Sequence, residues 1–354
     1  MRRFKIVEPD KDLQAAIQDK IDNLNKPKGS LGRLESLAMQ ICMAQQTLSP
    51  ELHHPCHLLL GGDHGIEREG VSVSPRDVTW QQMVNFTHGG GGVNMFCRQH
   101  GFKLLVVDMG VDHDLSNVPG ILHRKIANGT KDFLYEPAMS EAEFDKAIDI
   151  GAALVDDCYD EGCNILCIGE MGIANTSPSS IWMHLFGRIP LDECIGAGSG
   201  LDTPGIQHKK KILHAAVQHY SAWREKSSPS TTLPPSATIR YFAGFEMAAA
   251  IGAMLRAAEL KILVMVDGFI MTACALAAYQ LYPDVLAYMI FGHCGDESGH
   301  KRMLALMHAE PLLQLGMRLG EGTGALCSYP IIQSAVLMMN EMNNFKDAQI
   351  TKYF

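Results

Sequence analysis

The chain has 354 residues, 47% of them apolar and 19% charged, with a formal net charge of −9. A chain of that length and composition buries a sizeable core, which excludes a disordered polypeptide. Its one short basic run, Lys209 to Lys211, is no match for a nucleic-acid-binding face, so nucleic acid is set aside as a partner.

The N-terminal stretch MRRFKIVEPDKD has no apolar run behind its arginines, so no secretion signal is expected and the protein reads as cytoplasmic. Ten cysteines are scattered, several inside apolar runs (Cys167, Cys274), as reduced core thiols are. Residues 10–48 predict helix, broken by NKPKGS at 25–30. From residue 56, short apolar runs alternate with amphipathic stretches. The runs are CHLLLGGD (56–63), KLLVVDMG (103–110), NILCIGEMG (164–172), KILVMVDGF (261–269) and LAYMIFGH (286–293). Near-continuous apolar runs bounded by glycine are the pattern of parallel strands buried on both faces. Helix-length segments between them, at 77–99, 141–159 and 244–258, complete right-handed strand–helix–strand units and an α/β fold. The longest apolar stretch, Lys261 to Ala278, is interrupted by Asp267 and Gly268, so it reads as strand then helix and not as a membrane span. Residues 224–238, rich in Ser, Thr and Pro, predict an exposed loop. After residue 300, helix is expected at 301–315 and 331–343. Residues 1–50 and 301–354 are then expected to form a small helical domain beside a large α/β domain at 51–300.

Polar residues gather where the apolar runs end: Asp63-His64-Gly65, Asp108-Met109-Gly110, Glu170-Met171-Gly172, and His293 with Asp296 and Glu297. Ligands of an open α/β sheet bind beyond the carboxyl ends of its strands, so these loops are expected to converge on one cleft. In GEMGIANTSPSS (169–180), Asn175, Thr176 and Ser177 are helix-capping types, and a helix starting there offers free N–H groups to a phosphate. In IGAGSGLDTPGIQHKKK (195–211), Gly198, Ser199 and Gly200 permit close backbone approach, with Lys209 to Lys211 following to supply charge. Either loop can also be an ordinary tight turn. Leu201 stands where G-x-G-x-x-G needs its third glycine, and no Walker sequence occurs, which disfavours a nicotinamide-dependent dehydrogenase. HHPCH (53–57) points adjacent residues in alternate directions, which speaks against a metal site, and CYDEGCNILC (158–167) has no paired CxxC, so its cysteines read as core. HGGGG (88–92) has no GxSxG partner and predicts a flexible lead into a helix at 93–99. LGEGTGAL (319–326) places a glutamate in a glycine-rich turn, where its charge would repel a phosphate.

Six segments in order carry a resemblance: NLNKPKGSLGRLE (23–35), GDHGIEREGVSVSPRDVTWQQMVNF (62–86), GEMGIANT (169–176), GAGSGLD (196–202), VDGFI (266–270) and MRLGEGTGA (317–325). Over nearly the whole chain they resemble the nicotinate-nucleotide–dimethylbenzimidazole phosphoribosyltransferase family. The resemblance implies a Rossmann-like α/β fold on a parallel sheet flanked by helices, a smaller helical domain from the N- and C-terminal segments, and a homodimer. It implies transfer of phosphoribose from nicotinate mononucleotide to 5,6-dimethylbenzimidazole, giving α-ribazole 5′-phosphate and nicotinate, with no cofactor and no metal. Carried over motif by motif, Glu321 is the general base and Glu170 a second acidic residue beside the sugar. Phosphate and ribose fall to Gly172, Ile173, Asn175, Thr176, Gly198, Ser199, Gly200 and Lys209. The acceptor base falls to Ser74, Gln82, Met83 and Leu319. Gly292 and Gly295 depart from serines common in the family, so the hydroxyls of those two positions are absent here. The alternatives are the same transfer to adenine, another benzimidazole or a phenol, or a non-catalytic nucleotide-binding regulator. The pair Glu170 and Glu321 speaks against the regulator, because binding alone needs no carboxylate facing the base.

Overall fold

The computed structural model describes residues 1–227 and 233–352. Two helices, α1 (Gln14–Asn23) and α2 (Arg33–Gln45), precede the first strand, β1 (Cys56–Gly62). Next come α3 (Asp77–Thr87), α4 (Gly92–His100), β2 (Lys103–Gly110), β3 (Ile121–His123), α5 (Glu141–Asp160) and β4 (Ile165–Met171). Helices α6 (Thr176–Gly187), α7 (Leu191–Cys194), α8 (Thr203–Ser227), α9 (Pro235–Phe242) and α10 (Phe245–Glu259) lead to β5 (Leu263–Val266). The chain continues through α11 (Phe269–Leu281), β6 (Met289–Phe291), α12 (His300–Leu306) and α13 (Thr323–Glu341).

The strands form one sheet in the order β3-β2-β1-β4-β5-β6, and every neighbouring pair is parallel. All residues of β1, β5 and β6 are buried, which is why their sequences are apolar at nearly every position instead of alternating. The chain winds outward from β1 to β3, returns to the middle at β4, and winds outward again to β6. The reversal lies between β1 and β4, and opens a crevice beyond their carboxyl ends.

Helix α10 lies over β1, β2, β4 and β5 and crosses α5 with the two backbones touching. A Cβ on Gly151 would sit 1.9 Å from Ala249 O, and one on Gly252 would sit 2.2 Å from Ile148 O. Helix α13 packs on α2 and α4 and reaches β4 and β5, while Leu24 bridges Asn344, so the two ends of the chain meet. Among the described residues, no helix is long and apolar enough to cross a membrane. All ten cysteines are free thiols, and nine are buried.

Several elements differ from the sequence expectation. The helix expected at 77–99 is two helices, because His88 and Gly90 N–H turn back to Asn85 O and Gly89, at φ +78°, closes the first. The helix expected at 301–315 stops at Leu306. His308 turns left-handed at φ +52°, and Pro311 bars continuation. Residues 312–317 instead run beside 291–296, with Leu312 N–H on Phe291 O (3.0 Å), Leu313 N–H on Gly292 O (3.0 Å), Cys294 N–H on Leu313 O (2.8 Å) and Asp296 N–H on Met317 O (3.1 Å). Helix α13 starts at Thr323, ahead of the expected 331, and β3 was not anticipated at all. The segment 224–238 is helical at both ends: α8 runs through Ser227, and α9 begins with Pro235 at its first position. Residues 228–232 of that expected loop lie outside the described residues.

Gly151→Ala is expected to force α5 and α10 apart. Overpacking of this kind costs about 1–3 kcal/mol, to be read from urea unfolding of the variant against the native chain.

Candidate active site

Strand β4 delivers Glu170 to the crevice, and residues 172–176 turn from it into α6. Ala174 takes φ +76°, Asn175 N–H bonds Gly172 O at 3.2 Å, and Ile173 N–H bonds Thr79 Oγ1 of α3 at 3.2 Å. The side chain of Asn175 does not cap α6 as its type suggested. Its Nδ2 donates to Glu170 Oε2 in a short buried hydrogen bond. Lys209 of α8 is buried and donates from Nζ to Thr176 Oγ1 at 2.8 Å, and burial lowers its pKa to about 8. Gly198 sits over both groups: a Cβ there would lie 3.1 Å from Thr176 Oγ1 and 3.5 Å from Lys209 Nζ. Lys210 instead lies 3.9 Å from Asp192, and Lys211 is exposed, so of the three lysines Lys209 alone reaches this loop.

The second carboxylate comes from the opposite direction. Gly320, Glu321 and Gly322 are all left-handed, at φ +86°, +61° and +82°. For a glutamate that conformation costs about 1–3 kcal/mol and persists only when its surroundings impose it. Asp267, at the end of β5, does so: Oδ2 accepts Gly322 N–H at 3.2 Å and Oδ1 accepts Ala325 N–H at 2.9 Å. Gly169 of β4 lets the turn approach, since a Cβ there would lie 2.3 Å from Glu321 O. Glu321 Oε2 accepts Val93 N–H at 3.0 Å, in the first turn of α4. The HGGGG segment therefore ends in a helix N-terminus whose partial positive charge meets this carboxylate. Burial raises the Glu321 pKa above the usual carboxylate range, while the Val93 and Gly92 N–H groups work against that rise.

Behind these two acids lies a layer of buried charge. His64 Nε2 and Glu246 Oε1 are 2.6 Å apart with both side chains fully inaccessible, and Gly62, Gly172 and Gly244 pack around the pair. His293 Nε2 lies 3.3 Å from Asp267 Oδ1. Burial opposes charge on both groups, but their mutual contact outweighs it, raising His293 and lowering Asp267. Among the described residues, no cation pairs with Glu170. Burial, and then the negative charges of Glu246 and Asp267, push its pKa to about 8, so it is protonated at neutral pH.

These elements enclose a cavity of about 320 Å³ at the crevice. Glu170, Gly172, Ile173, Asn175 and Thr176 line it from one side; Gly198, Ser199, Gln82, Leu319 and Glu321 line the rest. Four residues expected at the site do not line this cavity. Met83 is fully buried against Gly61 of β1, since consecutive helix positions Gln82 and Met83 point to different faces. Lys209 stands one layer back behind Thr176. Ser74 gives its N–H to Ser72 Oγ, and Ser72 takes the lining position. Gly200 lies in the turn beyond Ser199 at φ +122°. Glu297, from the loop after the fifth apolar run, lines the cavity as the strand-end reading expected, while sequence reasoning missed Val71, Val78, Ile270 and Arg318 as lining residues, and Glu246 beneath them. Glu246 carried a signal, as the one charged residue in the opening turns of an apolar helix. Of HHPCH, His57 is buried below Gly322 while His53 faces Glu51 at the surface, so its histidines do not converge.

A phosphoribosyltransferase family model matches residues 6–350. A Bacteroides fragilis protein named nicotinate-nucleotide–dimethylbenzimidazole phosphoribosyltransferase is 58% identical over 354 residues, covering all of both chains. The chain belongs to this family. A Dechloromonas aromatica protein of the same name is 44% identical over 99% of each chain. A crystal structure of CobT from Thermus thermophilus superposes with a TM-score of 0.90 at 30% identity, covering 97% of this chain and all of that one. The Rossmann-like sheet is thus the family's scaffold, and the chain is a phosphoribosyltransferase.

The raised pKa of Glu170 has a sign that can be tested. Between about 4.5 and about 8 the folded chain keeps a proton that the unfolded chain has lost, so folding stability falls as pH rises through that window. Glu170→Gln removes this penalty. Relative to the native chain, the variant is expected to be more stable at about pH 9 than at about pH 4 in urea unfolding. An equal difference at both values would rule out a protonated buried Glu170.

Proposed function

We propose that this phosphoribosyltransferase moves phosphoribose from nicotinate mononucleotide to 5,6-dimethylbenzimidazole, releasing nicotinate and α-ribazole 5′-phosphate, with Glu321 as general base. One observation carries the reading. Glu321 is held in a strained left-handed turn against the start of α4, and faces the same cavity as Glu170 and the loop 172–176.

Displacement of nicotinate from the anomeric carbon builds positive charge on the ribose. The attacking group is an imidazole-type nitrogen, and the partner N–H of the same ring turns acidic as the bond forms. Glu321 takes that proton, and its raised pKa makes it a better acceptor than an exposed glutamate. Glu170 lies on the sugar side, fixed by Asn175. A pyridinium-bearing ribose entering the cavity favours the ionised form of Glu170, so its stabilising charge arrives with the donor. The 5′-phosphate is read by the N–H groups at the start of α6, by Gly198 and Ser199, and by Lys209 acting through the Thr176 hydroxyl. Anchoring a remote phosphate holds the reacting carbon in line. The acceptor lies between Leu319 and Gln82, with Ser74 behind the lining Ser72. A β donor giving an α product requires one inverting displacement, whereas a covalent glycosyl-enzyme would give retention. The same reading carries a cytoplasmic homodimer, and a smaller helical domain from residues 1–50 and 301–354.

Incubation with nicotinate mononucleotide and a panel of bases, followed by mass analysis, is expected to give nicotinate only when a base is present. Release without base would mean hydrolysis. Glu321→Gln is expected to keep its calorimetric affinity for nicotinate mononucleotide while kcat falls by about 10²–10⁴-fold. An unchanged kcat would remove Glu321 from the role of base.

A further inference from the structure

The crevice continues past the main cavity into a second recess of about 240 Å³, bounded by Thr176, Gly196 to Gly198, Phe269 and Ser298. Arg318 lines both spaces, and also the narrow cleft leading to Asp267 and Gly268. Among the described residues lining these three spaces it is the one arginine or lysine. The other ionisable groups are the acids Glu170, Asp267, Asp296, Glu297 and Glu321, together with His293, which Asp267 already holds.

The backbone around Arg318 is fixed. Residues 312–317 are laced to 291–296, ending in the 3.1 Å bond from Asp296 N–H to Met317 O, and the Asp267-anchored turn follows at Gly320. The side chain is exposed, and makes no hydrogen bond or ion pair with any other described residue. A fixed backbone with an uncommitted guanidinium is the arrangement of a group awaiting an anion.

The inference rests on the transfer reading above. Nicotinate mononucleotide is anionic at both ends, with a phosphate on one side and a ring carboxylate on the other. The phosphate has Lys209 and the start of α6. The carboxylate has no cation assigned to it. We propose that Arg318 binds the carboxylate of the nicotinate ring in the recess walled by Phe269, and so makes the enzyme select a nicotinate over a nicotinamide leaving group. The guanidinium fork matches a carboxylate with two parallel hydrogen bonds. A carboxamide offers one acceptor, and turns its NH₂ toward a group that can only donate. Asp296 and Glu297 border the same recess. They would repel a bound carboxylate once the arginine charge is gone, which sharpens the discrimination.

The test compares Arg318→Met and Arg318→Lys with the native enzyme at saturating dimethylbenzimidazole, using nicotinate mononucleotide and nicotinamide mononucleotide as donors. Arg318→Met is expected to lose about 10–100-fold in kcat/KM for the acid donor and less than about threefold for the amide, with Arg318→Lys intermediate. Equal losses on both donors would assign Arg318 to the shared phosphate or to structure, and overturn the proposal. No loss on the acid donor would overturn it as well. Native enzyme that does not turn over nicotinate mononucleotide with any base contradicts the transfer reading itself. Calorimetric titration with nicotinate then decides the question for Arg318. Binding seen in the native chain and lost in Arg318→Met supports the assignment; binding absent from the native chain, or surviving in the variant, overturns it. Matching circular dichroism melts would establish that the variants fold.

Discussion

The site hangs on the carboxylate of Asp267. At the end of β5 it accepts the N–H groups of Gly322 and Ala325, and its negative charge is balanced by His293 from the segment after β6. That single side chain joins the last two strands of the sheet to the turn that bears Glu321. Without it, the left-handed turn around Glu321 would lose the two buried acceptors that hold Gly322 and Ala325. The approach of α13 to the sheet would also leave backbone donors unsatisfied in a dry interior.

The crevice is accordingly built as two layers of opposite character. The inner layer is locked, with His64 on Glu246 and His293 on Asp267, each pair buried and closely packed by glycines. The outer layer is poised: Glu170 above its usual pKa, Lys209 below its own, Glu321 shifted upward. Burial that destabilises charge on these groups becomes an advantage when a dipolar substrate arrives with charges of the opposite sign. The inner acids add to burial in keeping Glu170 protonated before a substrate arrives.

Much of this was legible in the sequence, because parallel strands are nearly pure apolar runs and their ends announce the site. Glu170, the 172–176 loop and Glu321 stood out as polar or glycine-rich interruptions of that pattern. What escaped has physical reasons. β3 has three residues, too few to show any period. The helix expected at 301–315 gave way to backbone pairing with 291–296, a tertiary effect that local preference does not contain. The resemblance put Met83 in the pocket with Gln82, but helix geometry turns the two apart and packs Met83 against Gly61 of β1. Glu246 and Arg318 sat within or near recognisable segments, yet which side of an element faces the crevice is set by packing.

The bond between Glu321 and Val93 spans 228 positions of chain. It also has a direction in time. A chain emerging from the ribosome can lay down β1 to β4 and even the 172–176 loop while the acid that meets the start of α4 has yet to be made. Until residues 321–325 arrive and dock on Asp267, the nascent chain can form the sheet as far as β4 and the 172–176 loop but lacks the carboxylate that completes the cavity. The complete cavity is therefore among the last features this polypeptide acquires, and its final acid arrives with that docking.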